Sequence, residues 1–143
     1  MADAAPRTDA DPVALTLTLS SDPAFLGTTE ALVARVGEHA GCTPEAAKRL
    51  GQAVRRLLGA LIERAREAIT PPQLEVAFAA SDRVVRVDLR VARGTETTDR
   101  VFEDLLAAEG AGAGLERLVD RVEIAREDGR PCCRITQQVR AGR

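Results

Sequence analysis

The stretch TPEAAKRLGQAVRRLLGALIERA, residues Thr43 to Ala65, decides the fold. Leu50, Val54, Leu57 and Leu61 recur every three or four residues, and Ala65 and Ala68 continue the stripe. That spacing is one face of an α-helix. Thr43 supplies a capping oxygen, and Pro44 brings a fixed φ that suits a first helical turn. Thr70-Pro71-Pro72 ends the pattern, because proline has no N–H to give and crowds the preceding turn. A long helix with a single greasy stripe needs an apolar surface to lie against, and the flanking sequence supplies a sheet.

Upstream, Val13, Leu15, Leu17 and Leu19 alternate with Ala14, Thr16 and Thr18, the period of a half-buried strand. Ser21-Asp22-Pro23 then starts a helix, with Asp22 as cap and Pro23 in the first turn. Phe25, Leu26, Leu32, Val33 and Val36 form its apolar face, and Gly41 breaks it. Downstream, Leu74, Val76 and Phe78 make one strand and Val85, Val87, Leu89 and Val91 another, joined by a turn at Ser81-Asp82. Gly94 to Asp99 reads as a polar loop, Val101 to Leu106 as a short helix, and Gly110 to Gly114 as a hinge-like run. Leu115, Leu118, Val119 and Val122 suggest a further short helix or turn. Val122-Glu123-Ile124 is a strand, Asp128-Gly129 a hairpin signal, and Cys133, Ile135, Gln137 and Val139 alternate in the last strand. Each strand is greasy on one side only, with Arg83, Arg86, Arg90 and Arg93 decorating a wet face. These features predict an α+β protein: a two-layer sandwich of one mixed or antiparallel sheet with helices on one face. Residues 13–139 read as one domain, 1–12 as a disordered Ala/Asp-rich tail, and 140–143 as a frayed end.

Composition removes several functions. Aromatic residues are 2% of the chain, with no Trp or Tyr. The core is therefore aliphatic, and there is no ring platform on which bases could stack. A formal charge of −2 does not suit a general polyanion binder, so no direct nucleic-acid partner is expected. No apolar run approaches the ~20 residues of a membrane span. The first residues lack the apolar core of a secretion signal. Cys42, Cys132 and Cys133 make an odd set without CxxC spacing, which suits a reducing cytoplasm. With His39 alone beside them, a zinc site is not expected. His39 itself reads as a surface residue at a helix end. Neighbours in a strand point to opposite faces, so one of Cys132 and Cys133 should be core and the other half-exposed.

Three stretches together resemble the anti-sigma regulatory factors, the serine-protein kinase family of the GHKL, histidine-kinase-like ATPase fold. They are the opening strand from Leu15 to Ser21, the frame Leu50-Gly51-Gln52-Ala53-Val54 with Ala60-Leu61, and the closing run Gly112 to Ile124. The closing run looks like that family's Gly-x-Gly-Leu turn and the strand after it. The resemblance spans roughly Val13 to Val139. It implies a bacterial regulator of transcription that dimerises and holds a sigma factor or an anti-anti-sigma domain. The Arg-rich, Lys-poor composition fits a GC-rich bacterial genome.

The departures from that pattern carry the functional expectation. The family has Glu-x-x-x-Asn-Ala on the second helix, where Glu acts on water and Asn holds Mg²⁺. Here those two positions are Arg56 and Ala60. Arg stays protonated and cannot be a base, and Ala has no oxygen for a hard cation. The family's adenine-reading Asp-x-Gly falls near Gly94, which no Asp precedes at the right spacing. Gly112 and Gly114 are what remains of a phosphate turn, or simply a loop. The resemblance thus implies a pseudokinase, with no catalytic residues and no cofactor, that signals by binding protein. Two alternatives stand beside it: a serine kinase using other carboxylates (Glu63, Asp88, Glu96, Asp99), and a scaffold domain sharing only the fold. The resemblance places partner and dimer contacts toward the first strand and first helix, roughly Leu15–Val36, with Glu30 and Arg35 facing outward. Arg55, Arg56, Arg64 and Arg66 form either a solvated face or a second contact surface.

Overall fold

In the computed structural model, residues 13–65, 73–91, 114–127 and 130–139 are described. Strand β1 is Val13–Leu19 and a 3-10 turn Pro23–Phe25 leads into helix α1, Leu26–His39. Helix α2 is Pro44–Ala65, followed by the hairpin of β2, Leu74–Ser81, and β3, Val84–Val91. A second 3-10 turn, Leu115–Arg117, precedes β4, Arg121–Glu127, and β5, Arg130–Gln138. The five strands form one sheet in the order β1-β2-β3-β5-β4, and every pairing in it is antiparallel. The architecture is therefore α+β. The expected tail at 1–12, the loop at Gly94–Asp99, the short helix at Val101–Leu106, Gly110 to Ala113 and the end at 140–143 lie outside the described residues.

Helix α2 is the centre of the core. Leu50, Val54, Leu57 and Leu61 are buried as the periodicity predicts, and so are Ala47, Ala53, Leu58 and Ile62. The buried face is thus wider than the stripe read from sequence. It meets Leu74, Val76, Phe78, Val85, Val87, Leu89, Cys133 and Ile135 from one side of the sheet. Leu115 and Val119 join the same cluster. Phe25, expected on the apolar face of the first helix, is 39% exposed instead. It ends the 3-10 turn, before the α-helical stripe begins.

Local chemistry places the ends. Asp22 Oδ1 accepts from Ala24 N at 2.9 Å, and Thr43 Oγ1 accepts from Ala46 N at 3.1 Å. Both side chains satisfy N–H groups that the first helical turn leaves over. α1 ends in a Schellman arrangement: Cys42 N donates to Gly37 O and Gly41 N to Glu38 O, with Gly41 at φ 113°. The β2–β3 turn falls on Asp82-Arg83, one residue later than the sequence suggested. Both residues have positive φ, 53° and 63°, as a two-residue primed turn between twisted strands requires.

α1 and α2 approach closely. A Cβ on Gly51 would lie 2.8 Å from the Glu30 carbonyl oxygen, whereas one on Gly59 would make ordinary contacts with Leu26 at 3.6 and 3.9 Å. The same substitution should therefore change sign within one helix. Gly51→Ala should destabilise by about 1–3 kcal/mol through overpacking. Gly59→Ala should stabilise by roughly 0.5–1 kcal/mol through helix entropy. Urea denaturation of both variants checks this. Equal shifts in the same direction would contradict the close crossing. In the same assay, Leu57→Ala and Leu61→Ala should each cost about 2–5 kcal/mol.

Candidate functional site

An open cleft of about 330 Å³ lies where the approach to α1 meets the second half of α2. Its lining includes Pro23, Leu26, Arg56, Gly59, Ala60 and Glu63. Arg56 and Ala60, one turn apart on α2, thus share a concave surface, as their spacing predicts. The donor set is one guanidinium, one carboxylate and otherwise apolar or backbone groups. Mg²⁺ takes octahedral oxygen ligation, and the cleft residues do not fit it. Among the described residues no three His, Cys, Asp or Glu side chains group closely enough to hold a metal ion. No described helix is long and apolar enough to cross a membrane.

Gly114 has φ 82° and precedes the 3-10 turn Leu115–Arg117. That left-handed backbone is reason enough for a glycine. Gly114 is not among the described residues lining the cleft, and Gly112 lies outside the described residues. Of the four alternative carboxylates, Glu63 reaches the cleft. Asp88 sits on the far side of the sheet, and Glu96 and Asp99 fall outside the described residues.

Arg35 is exposed on α1, as expected, and His39 is exposed in the last turn. Glu30 is placed differently. Its carboxylate accepts from Arg55 Nη1 at 2.8 Å and is 26% exposed, at the crossing of the two helices. It therefore braces α1 against α2 rather than standing free. Arg55, read as part of a solvated or partner-facing stripe, is its counterpart.

The sheet face away from the helices is not simply wet. Asp88 is 3% exposed, and Arg134 from the neighbouring strand grips it through two hydrogen bonds of 2.9 and 3.1 Å. Arg86 Nε lies 4.0 Å from the same carboxylate, and Arg90 pairs with Glu75 at 3.7 Å. The arginines expected to decorate this face are half-buried participants, except Arg83, which is exposed in the turn, and Arg93, which is outside the described residues. The signal available in the sequence was alternation itself, since Asp88 shares a face with Arg86 and Arg90. The partner on β5 was not readable. Cys132 corrects a second expectation: both it and Cys133 are fully buried. They occupy opposite faces of β5, and Cys132 is buried although it lies on the face with the ionic network.

Comparison of the chain with protein-family models and with curated proteins finds no match.

Two outcomes follow from this chemistry. Removing Arg134 while keeping Asp88 takes two hydrogen bonds from a buried carboxylate and leaves it Arg86 at 4.0 Å, so Arg134→Met should destabilise by about 3–5 kcal/mol. The double variant Asp88→Leu/Arg134→Met should be much closer to wild type, and thermal melts of both distinguish a stranded charge from lost packing. The Cys133 thiol is pushed up from 9.0 to about 12, chiefly by burial and further by Cys132 and Asp88; burial also pushes Cys42 up. A thiol raised in the folded state holds its proton more tightly there. Its contribution is intact below pH 9 and is lost as pH climbs toward about 12. The chain has no Tyr and a single Lys, Lys48, so few other groups titrate in that window. Stability from denaturant titrations should fall above pH 9, and Cys133→Ala, although less stable at neutral pH, should flatten that decline.

Proposed function

We propose that this chain is a non-catalytic regulator of the anti-sigma type, which acts by holding a protein partner rather than by phosphorylating it. The partner is a sigma factor or an anti-anti-sigma domain. One observation carries the reading: Arg56 and Ala60 line the open cleft on α2, where the resembling family needs a base and a magnesium ligand. A guanidinium repels the cation and cannot take a proton, and a methyl group offers it nothing. The order of strands and helices along the chain agrees with the resemblance. The GHKL assignment itself rests on sequence likeness and on that order.

A second reading, a serine kinase with substituted residues, has one point in its favour. Glu63 supplies a carboxylate to the same cleft. Phosphoryl transfer depends on metal-assisted positioning, and one carboxylate beside Arg56 is a poor basis for it.

Calorimetry with Mg²⁺·ATP should show no saturable heat at millimolar ligand, and Glu63→Gln should change nothing. A micromolar binding isotherm that Glu63→Gln abolishes would favour the kinase. For partner capture, Arg35 is the charge to reverse, because Glu30 is engaged with Arg55. Arg35→Glu should reduce co-purification of a sigma factor or anti-anti-sigma domain, with unchanged circular dichroism, since exposed rim charges tune association and specificity. Undiminished capture would move the contact surface away from α1.

A further inference from the structure

A second pocket lies toward the other end of α2, between its first two turns and the end of β5. It has a volume of about 110 Å³ and is walled by Cys42, Thr43, Ala46, Arg49, Gln137 and Gln138, all of them described residues. Gln137 breaks the rule that builds the rest of its strand. Cys133, Ile135, Gln137 and Val139 alternate toward the helices, and Cys133 and Ile135 are fully buried in the aliphatic core. Gln137 follows them at 7% exposure, a carboxamide where packing alone favours an aliphatic side chain. Its Nε2 donates to the Gln138 carbonyl oxygen at 3.2 Å. That oxygen can only accept, which fixes the orientation of the carboxamide and leaves Oε1 as its other end. No hydrogen bond reaches Oε1 from the described residues. A sheltered acceptor without a donor is unfavourable, and here it borders a space that can hold one.

Arg49 and Thr43 bring the remaining chemistry. Arg49 is exposed, one turn on from Ala46, and makes no ion pair or hydrogen bond with a described residue. Thr43 Oγ1 accepts from Ala46 N, while its hydroxyl proton is given to no described group. Asp120 takes the Gln138 N–H at 2.8 Å but does not line the pocket. Burial pushes the Cys42 thiol up, so that side chain stays protonated and uncharged. The wall therefore carries one formal charge, the guanidinium, together with a hydroxyl donor and a carboxamide acceptor. The first turn of α2 adds the positive end of its dipole.

We propose that this pocket binds a small oxyanion that still carries a proton, such as hydrogen phosphate or bicarbonate. A water takes roughly 30 Å³, so the space suits an ion of about four or five non-hydrogen atoms and is too small for a nucleotide. The guanidinium fork meets two ionised oxygens, and the Thr43 hydroxyl donates to an oxygen of the same ion. The anion's own O–H donates to Gln137 Oε1. Sulfate, or a carboxylate of similar size, only accepts and leaves Oε1 unmatched. The buried carboxamide thus makes the site selective rather than merely cationic. Bound there, the anion ties the α1–α2 connection to the end of β5. The inference rests on this pocket and not on the proposed regulatory function, so either can fail without the other.

NMR titration of the full chain tests it, with inorganic phosphate, bicarbonate and sulfate as probes at one ionic strength and a pH slightly above neutral. Phosphate or bicarbonate should shift the Gln137 side-chain amide signals saturably, with half-saturation on the order of millimolar. Sulfate should bind about tenfold more weakly or less, because it leaves a sheltered acceptor unmatched. A response to phosphate without bicarbonate identifies a tetrahedral anion, and the reverse a planar one. Arg49 is exposed, so Arg49→Gln spares the core, and it should weaken binding by about tenfold or more. Gln137→Leu should keep the circular dichroism spectrum and, followed through the backbone signals of Thr43 and Ala46, lose the preference over sulfate. A Gln137 of purely structural role would not alter that preference. No saturable response to either protonated anion, equal binding of sulfate, or undiminished binding by Arg49→Gln would each overturn the proposal.

Discussion

The close crossing of α1 and α2 constrains everything around it. At Gly51 the two backbones come so near that no side chain fits between them, whereas a Cβ on Gly37 would make ordinary contacts with Ala47 and Leu50 nearer the connection. Close approach lets α2 sink until eight of its side chains are sealed against the sheet, while α1 lies beside it over the β1 side. The Glu30–Arg55 ion pair spans the same junction from outside. Being partly exposed, it contributes orientation more than stability. With few aromatic residues, the core gains its cohesion from many aliphatic contacts at short range, which makes small residues at the crossing essential rather than incidental.

The sheet then separates two kinds of interior. One face is dry and aliphatic. The other is an arginine-rich lattice in which Asp88 is almost entirely removed from water by the side chains that neutralise it. Long arginine stems can cover apolar surface, and here the heads of Arg134, Arg86 and Arg90 lie in ion pairs with Asp88 and Glu75. The cost of such a lattice is that no member can be removed alone. On the dry side of the strand, burial is the main cause that raises the Cys133 thiol.

The proposed function rests on the cleft on α2, which presents the Arg56 guanidinium, the Glu63 carboxylate and the Ala60 methyl group.

Periodicity alone determined a good deal. The stripe of α2, the alternation of β2, β3 and β5, and the caps at Asp22 and Thr43 were all legible, because helix and strand each impose a repeat on which residues are sheltered. The shared face of Arg56 and Ala60 was legible for the same reason. Tertiary structure decided what depends on residues far apart in the chain. The insertion of β5 between β3 and β4 rests on backbone hydrogen bonds that leave no mark on side-chain identity. The Asp88–Arg134 pair joins residues 46 apart. Glu30, outward-facing on the helical wheel, is turned into a brace by Arg55. Cys132 and Cys133, one of which was expected to be half-exposed, are both buried. Local sterics and hydrophobic spacing are written residue by residue; the partner of a charge and the cover over a face exist only once the strands have been brought together.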